Sequence, residues 1–170
     1  WDLENGTCLA RLKGHSQAVT GIAMSADGRI MVSIGEDNFI RAWDLDRREK
    51  LNKLDCGFHA TSSGLCVSPD GHFVLLADVM LCKWNIATGQ VQEFKRHSDI
   101  VTSVIITPDA RFAISAALDN MLCVWDVASA QCLHQFTAVS ARLMGTTPDG
   151  KRALFVSEDN PDTMESSLTV

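Results

Sequence analysis

Phe39-Ile40-Arg41-Ala42-Trp43-Asp44 and Met121-Leu122-Cys123-Val124-Trp125-Asp126 are two versions of one phrase, each closing on Trp-Asp. A third version, Leu81-Cys82-Lys83-Trp84-Asn85, stands between them. The chain has four tryptophans, Trp1, Trp43, Trp84 and Trp125, at intervals of 42, 41 and 41 residues. A fixed period in this range marks a repeat architecture, with one supersecondary unit per period.

Working outward from the phrase, each tryptophan has partners in register. In one period Gly14-His15 precedes the apolar segment 18–24, a turn at Ala26-Asp27-Gly28, a second apolar segment 29–35, then Asp37 and Trp43. In another, His97 precedes 100–106, Pro108-Asp109, 111–116, Asp119 and Trp125. His to Asp is 22 residues in both, and Asp to Trp is 6. The period between them has His59, Pro69-Asp70-Gly71, Asp78 and Trp84, with Asp to Trp again 6 but His to Asp only 19. Segments of 5 to 8 residues rich in Val, Ile, Leu and Phe, punctuated by Gly, Pro and Asp, read as short antiparallel strands. No helical period persists for ten residues.

The pattern of Gly-His, about two dozen residues, Asp, five residues and Trp-Asp resembles the WD-repeat β-propeller family over essentially the whole chain. The resemblance implies an all-β fold of four-stranded antiparallel blades in an incomplete ring. Inner strands are expected near 18–25, 62–68, 100–107 and 140–147, and outer strands near 7–13, 50–55, 90–95 and 131–136. Residues 1–13 are expected to end a preceding blade, with blades at 14–56, 57–96 and 97–137 and a truncated one at 138–170. Leu168-Thr169-Val170 matches Ile40-Arg41-Ala42, which places a further tryptophan just after Val170. Beginning and ending inside motifs, the chain reads as a piece of a longer protein.

His15, Ser33 and Asp37 are the residue types of a hydrolytic triad. The same set returns as His97, Ser115 and Asp119, with His to Ser 18 residues apart both times. An active site is needed once, whereas a brace is needed in every blade. The expectation is therefore structural: His15, Ser33, Asp37 and Trp43 in one blade, His97, Ser115, Asp119 and Trp125 in another, and His59, Asp78 and Trp84 between them. There the serine position falls on Val74 or Leu76, so that brace is incomplete. In the last blade, counting back 18 from Ser157 reaches Val139 where histidine should be. No catalytic residue, metal ligand or cofactor site is expected.

Composition narrows the partner. Fifteen Lys and Arg against 21 Asp and Glu leave a net charge of −6, the wrong sign for a phosphate-binding surface. No apolar run is long enough to span a bilayer. The six cysteines include no Cys-x-x-Cys pair; Cys82 and Cys123 each lie two residues before a repeat tryptophan and read as small buried hydrophobes. Thiols in that role fit a reducing, cytoplasmic or other intracellular compartment. Arg47-Arg48 with Lys50 reads as a solvated turn on the rim opposite the binding face.

The expected function is a non-catalytic scaffold for protein–protein interaction within a larger intracellular protein. The alternative is a ligand-sensing or autoinhibitory propeller module of a nucleotide-binding oligomerising ATPase. In the family the loops before the inner strand and between the second and third strands share one binding face. Phe58 and Arg96, where the first period has Gly14, and Asp99 are the candidates in the first kind of loop. Glu158, Asp159, Asp162 and Glu165, in an acidic insertion facing a basic or Arg-bearing partner, are those in the second.

Overall fold

In a computed structural model of the chain, the residues described are 2–55, 64–157 and 166–169. They form fifteen strands and no helix. The first sheet is β1 (Val19–Met24), β2 (Ile30–Gly35), β3 (Phe39–Asp44) and β4 (Glu49–Asp55). The second is β5 (Leu65–Val67), β6 (Phe73–Ala77), β7 (Leu81–Asn85) and β8 (Val91–Phe94), and the third is β9 (Val101–Ile106), β10 (Phe112–Ala117), β11 (Met121–Asp126) and β12 (Gln131–Thr137). β13 (Arg142–Thr146), β14 (Arg152–Val156) and β15 (Ser166–Thr169) make a fourth, three-stranded sheet. All are antiparallel meanders in chain order, and their inner strands β1, β5, β9 and β13 touch in that order, so the sheets form an open arc. This is the architecture of propeller blades in an unclosed ring.

The second strands of the middle two sheets, β6 and β10, offer one face to the sheet before and the other to the sheet after, which is why their residues are apolar on both sides. Val32, Ile34, Ile40 and Ala42 pack against Val67, Val74, Trp84 and Ile86. Leu75, Ala77, Leu81 and Phe94 pack against Val101, Val104, Cys123 and Trp125. Ile114, Ala116, Leu122 and Val124 meet Ala141, Leu143 and Ala153. The Trp125 side chain is fully buried, and Phe94 meets its ring edge-on at 5.3 Å.

The turn between the first two strands is built the same way in all four sheets. Ser25, Ser68, Thr107 and Thr147 each donate a hydroxyl hydrogen bond to an aspartate two residues on, at 2.5 to 2.6 Å. The same hydroxyls accept backbone N–H bonds from Ile30, Phe73, Phe112 and Arg152. The next residue takes a left-handed φ: Gly28, Gly71 and Gly150 near 70°, but Ala110 at 58°.

Three expectations are corrected. Residues 7–13 join no ladder, because no described strand lies beside them to pair with. In the last sheet Leu168 stands opposite Ala153, the place Trp125 holds opposite Ala113, so the tryptophan position falls within the chain and not after Val170. The register there is set by the backbone ladder and not by the length of the loop that motif counting measured. By the same ladder the residue at the serine position of that sheet is Phe155, since Leu143, Gly145 and Thr146 pair across β14 as Val104, Ile105 and Ile106 pair across β10. Ser157 lies two residues beyond and donates to the Val139 carbonyl at 2.9 Å.

Candidate functional site

β2 brings Ser33 into the first sheet opposite Arg41, the hairpin after β2 carries Asp37, and the loop before β1 carries His15. Trp43 Nε1–H donates to Ser33 Oγ at 2.8 Å, and Ser33 in turn lies 2.8 Å from His15 Nε2. His15 Nδ1 is 2.8 Å from Asp37 Oδ1. One tautomer satisfies every member: Nδ1–H donates to the carboxylate and Nε2 accepts the serine proton. Asp37 also accepts the backbone N–H groups of Ser16 and Phe39 and, at 3.0 Å, Arg41 Nη1. That guanidinium nitrogen also lies 2.6 Å from His15 Nδ1, which in this tautomer has no lone pair to offer, so the carboxylate is its partner.

The third sheet repeats the set. Trp125 Nε1–H donates to Ser115 Oγ at 2.8 Å, Ser115 is 2.7 Å from His97 Nε2, and His97 Nδ1 is 2.9 Å from Asp119 Oδ2. Asp119 takes the N–H groups of Ser98 and Met121. Cys123 holds the place of Arg41.

Burial by itself would raise the Asp37 and Asp119 carboxyls, but the converging donors outweigh it. Asp37 is held well below the usual carboxylate value by the Ser16 N–H, His15, Arg41 and the Phe39 N–H. Asp119 is lowered by the Ser98 N–H, His97 and the Met121 N–H.

A hydrolase needs its serine within reach of substrate. Ser33 and Ser115 are 3% and 0% exposed, and each hydroxyl oxygen already accepts an indole N–H. The arrangement ties a loop, two strands and a hairpin of one sheet together.

The second sheet has no such network among the described residues. Leu76 pairs with Cys82 as Ser115 pairs with Cys123, which puts Leu76 and not Val74 at the serine position. The β6–β7 hairpin has three residues between its last pair, Ala77 and Leu81, against five between Ile34 and Ile40. Asp78 is therefore the first residue of a short hairpin rather than the middle of a longer one. Its Oδ2 and Trp84 Nε1 are buried with no hydrogen-bond partner among the described residues. A cavity of about 260 Å³ opens beside Asp78, walled by Ile34, Ile40 and Leu54 of the first sheet and Leu65, Leu76, Val79, Met80 and Cys82 of the second. His59 and Phe58 lie outside the described residues, as do Glu158, Asp159, Asp162 and Glu165.

Of the other rim candidates, Arg96 donates Nε–H and Nη2–H bonds to Gln135 Oε1 at 2.9 and 2.6 Å, and exposed Asp99 accepts the Ile100 N–H. Arg47 and Arg48 lie in the β3–β4 turn at the opposite end of the strands. Burial pushes the Cys66 and Cys82 thiols up to about 11 and that of Cys123 to about 12, which makes them packing groups. Among the described residues no three of His, Cys, Asp and Glu stand together as metal ligands, and no helix is long and apolar enough to cross a membrane.

Sequence reasoning missed two functions of polar residues. The residue after each tryptophan caps the β3–β4 type of turn: Asp44, Asn85 and Asp126 accept the N–H of Arg47, Thr88 and Ser129. The signal was the Asp or Asn itself, three residues ahead of the group it caps. The Ser/Thr-x-Asp turn clamp, present four times, was visible only as its aspartate with the proline or glycine beside it.

The model of the WD domain, G-beta repeat, matches residues 6–44 and 88–126, each stretch ending on the Trp-Asp pair of a complete network. Small ribosomal subunit protein RACK1y of Oryza sativa subsp. japonica is 30% identical over 136 residues, which are 75% of this chain and 40% of that protein. U3 small nucleolar RNA-associated protein 21 of Saccharomyces cerevisiae is 28% identical over 134 residues, 78% of this chain and 14% of that one. The chain thus spans well under two thirds of these curated relatives. A solved structure described as that of U3-55K superposes with a TM-score of 0.69 at 17% identity, covering 93% of this chain and 54% of the other.

Proposed function

Because the chain belongs to the WD-repeat family, we propose that it serves as a non-catalytic scaffold for protein–protein interaction, with partners held by the rim that carries the loops before β1, β5 and β9. The observation that carries the reading is the fate of the Ser-His-Asp sets. Both are buried and bonded to a tryptophan, so the chain's most enzyme-like residues go to rigidity, while the loops on that rim are free to vary. A net charge of −6 supports protein rather than nucleic acid as the main ligand. Relatives named as ribosomal and nucleolar RNA-associated proteins share the repeat, which fits a scaffold used in many assemblies. Packing of the cysteines fits a reducing, intracellular setting.

The test is site-specific photo-crosslinking in the full-length protein. Crosslinkers at exposed Gln17, Glu36 and Asn120 on the rim are expected to capture partner proteins, and crosslinkers at Arg48 and Lys151 on the opposite end are not. Capture from both ends alike, or from neither, overturns the reading. Esterase activity abolished by Ser115→Ala in a still-folded protein would overturn the non-catalytic part.

A further inference from the structure

The short hairpin of the second sheet changes what the rim presents. In the first sheet the tip is Glu36-Asp37-Asn38, and Asp37 is spent inside on His15. In the second, two residues are gone and the tip is Val79-Met80, 53% and 41% exposed. The next sheet continues the surface. Val101 N–H donates to the Asp78 carbonyl at 2.7 Å, and Leu118 N–H to the Ile100 carbonyl at 2.9 Å, so Ile100 and Leu118 sit beside that tip. They are 44% and 54% exposed. The first sheet makes the same bond from Glu36 to Ala18, so the equivalent places there are a carboxylate and a methyl group. Four large apolar side chains, each between 41% and 54% exposed, thus lie on one sector of the rim.

The charges beside them are not balanced. An open cleft runs from Val79 and Met80 to Lys95 and Arg96. Lys95 Nζ is taken by Glu93 at 2.9 Å, whereas both Arg96 bonds go to the neutral amide oxygen of Gln135. Arg96 presents a guanidinium of the kind that binds carboxylates in pairs of parallel hydrogen bonds.

We propose that Val79, Met80, Ile100, Leu118 and Arg96 form a docking surface for an extended segment of a partner protein, two apolar side chains followed by a carboxylate. The inference rests on the scaffold reading and names a partner chemistry for one sector of its rim. The apolar pair lies over the Val79-Met80 tip and the Ile100–Leu118 ridge, and the carboxylate replaces Gln135 on Arg96.

The experiment uses the full-length protein and an array of nonapeptides bearing two leucines at alternate positions, flanked by Asp or Glu in one set and by Lys in the other. The acidic set is expected to bind. Met80→Glu and Leu118→Glu, at exposed positions that leave the melting curve unchanged, each weaken it on the order of tenfold. Arg96→Glu reverses the preference towards the lysine set. Equal binding by all variants, preference of the wild type for the lysine set, or no binding to either overturns the proposal. So does a drop in sedimenting mass on Met80→Glu, which would make a second copy of the chain the occupant. If Met80→Glu leaves rim crosslinking to partners intact, this surface falls and the scaffold reading stands; if the wild type crosslinks nothing, both fall.

Discussion

A single hydroxyl separates Trp125 from Trp84. Both indoles are fully buried against the preceding sheet, but Trp125 donates to Ser115, whereas in the sheet of Trp84 the serine position is Leu76. Replacing each by phenylalanine isolates the difference. Trp125→Phe leaves Ser115 without a donor as well as shrinking the ring, so it is expected to destabilise by about 1 kcal/mol more than Trp84→Phe, which removes an N–H with no partner among the described residues. Equal costs in denaturant melts would contradict this. Asp37 and Asp119 make a second prediction at this scale. Their folded values lie below the unfolded one, so their contribution is fully present above about pH 4 and is lost as pH falls through the folded values. Asp37→Asn and Asp119→Asn are expected to flatten the acid limb of a stability–pH curve and leave its neutral slope alone.

At the scale of strands and hairpins, the sheets are not equal. The first and third carry complete networks and, among the described residues, the second and fourth show none, so amide hydrogen exchange in β2–β3 and β10–β11 is expected to be slower than in β6–β7. Equal protection across the sheets would refute it. The turn clamp makes a local forecast: Ala110 holds a left-handed φ that its three counterparts give to glycine, so Ala110→Gly is expected to stabilise by roughly 0.5–1 kcal/mol in thermal melts, strain relief exceeding the entropy glycine adds to the unfolded chain. Much of this level was legible in the sequence. Trp43 and Trp125 mark the third strands because each residue pattern must serve two packed faces, and that requirement leaves a strong signal. The short hairpin left a weaker one. His59 to Asp78 shrinks from 22 to 19, yet Asp78 to Trp84 stays at 6, so counting could not say on which side of β5 the residues were missing. Ser157 misled for the same reason: spacing measures chain length, whereas the ladder that puts Phe155 opposite Leu143 measures pairing. The exposed apolar sector was not legible at all, since only the ladder shows that the hairpin closes at Ala77 and Leu81 and leaves Val79 and Met80 at its tip.

Across the whole arc, successive sheets are joined by side chains as well as by cores. Asn52 Nδ2–H donates to the Ile86 carbonyl, and Lys83 Nζ to the Val127 carbonyl, both at 2.8 Å. Lys83→Met keeps the apolar stem and removes the donor, and is expected to cost about 1 kcal/mol in global stability with no change in the protection of β1–β4. A cost above that of Trp84→Phe would mean that the fastening dominates the packing. The two carbonyls hold the same place, two residues beyond the tryptophan, although the donors come from different strands and are different residues. The lock is backbone and is fixed by the turn; only the key is a side chain. Sequence drift can therefore exchange one key for another, or move it to a neighbouring strand, while the joint persists. Aligned repeats of this chain accordingly show no shared column for a contact that both joints make.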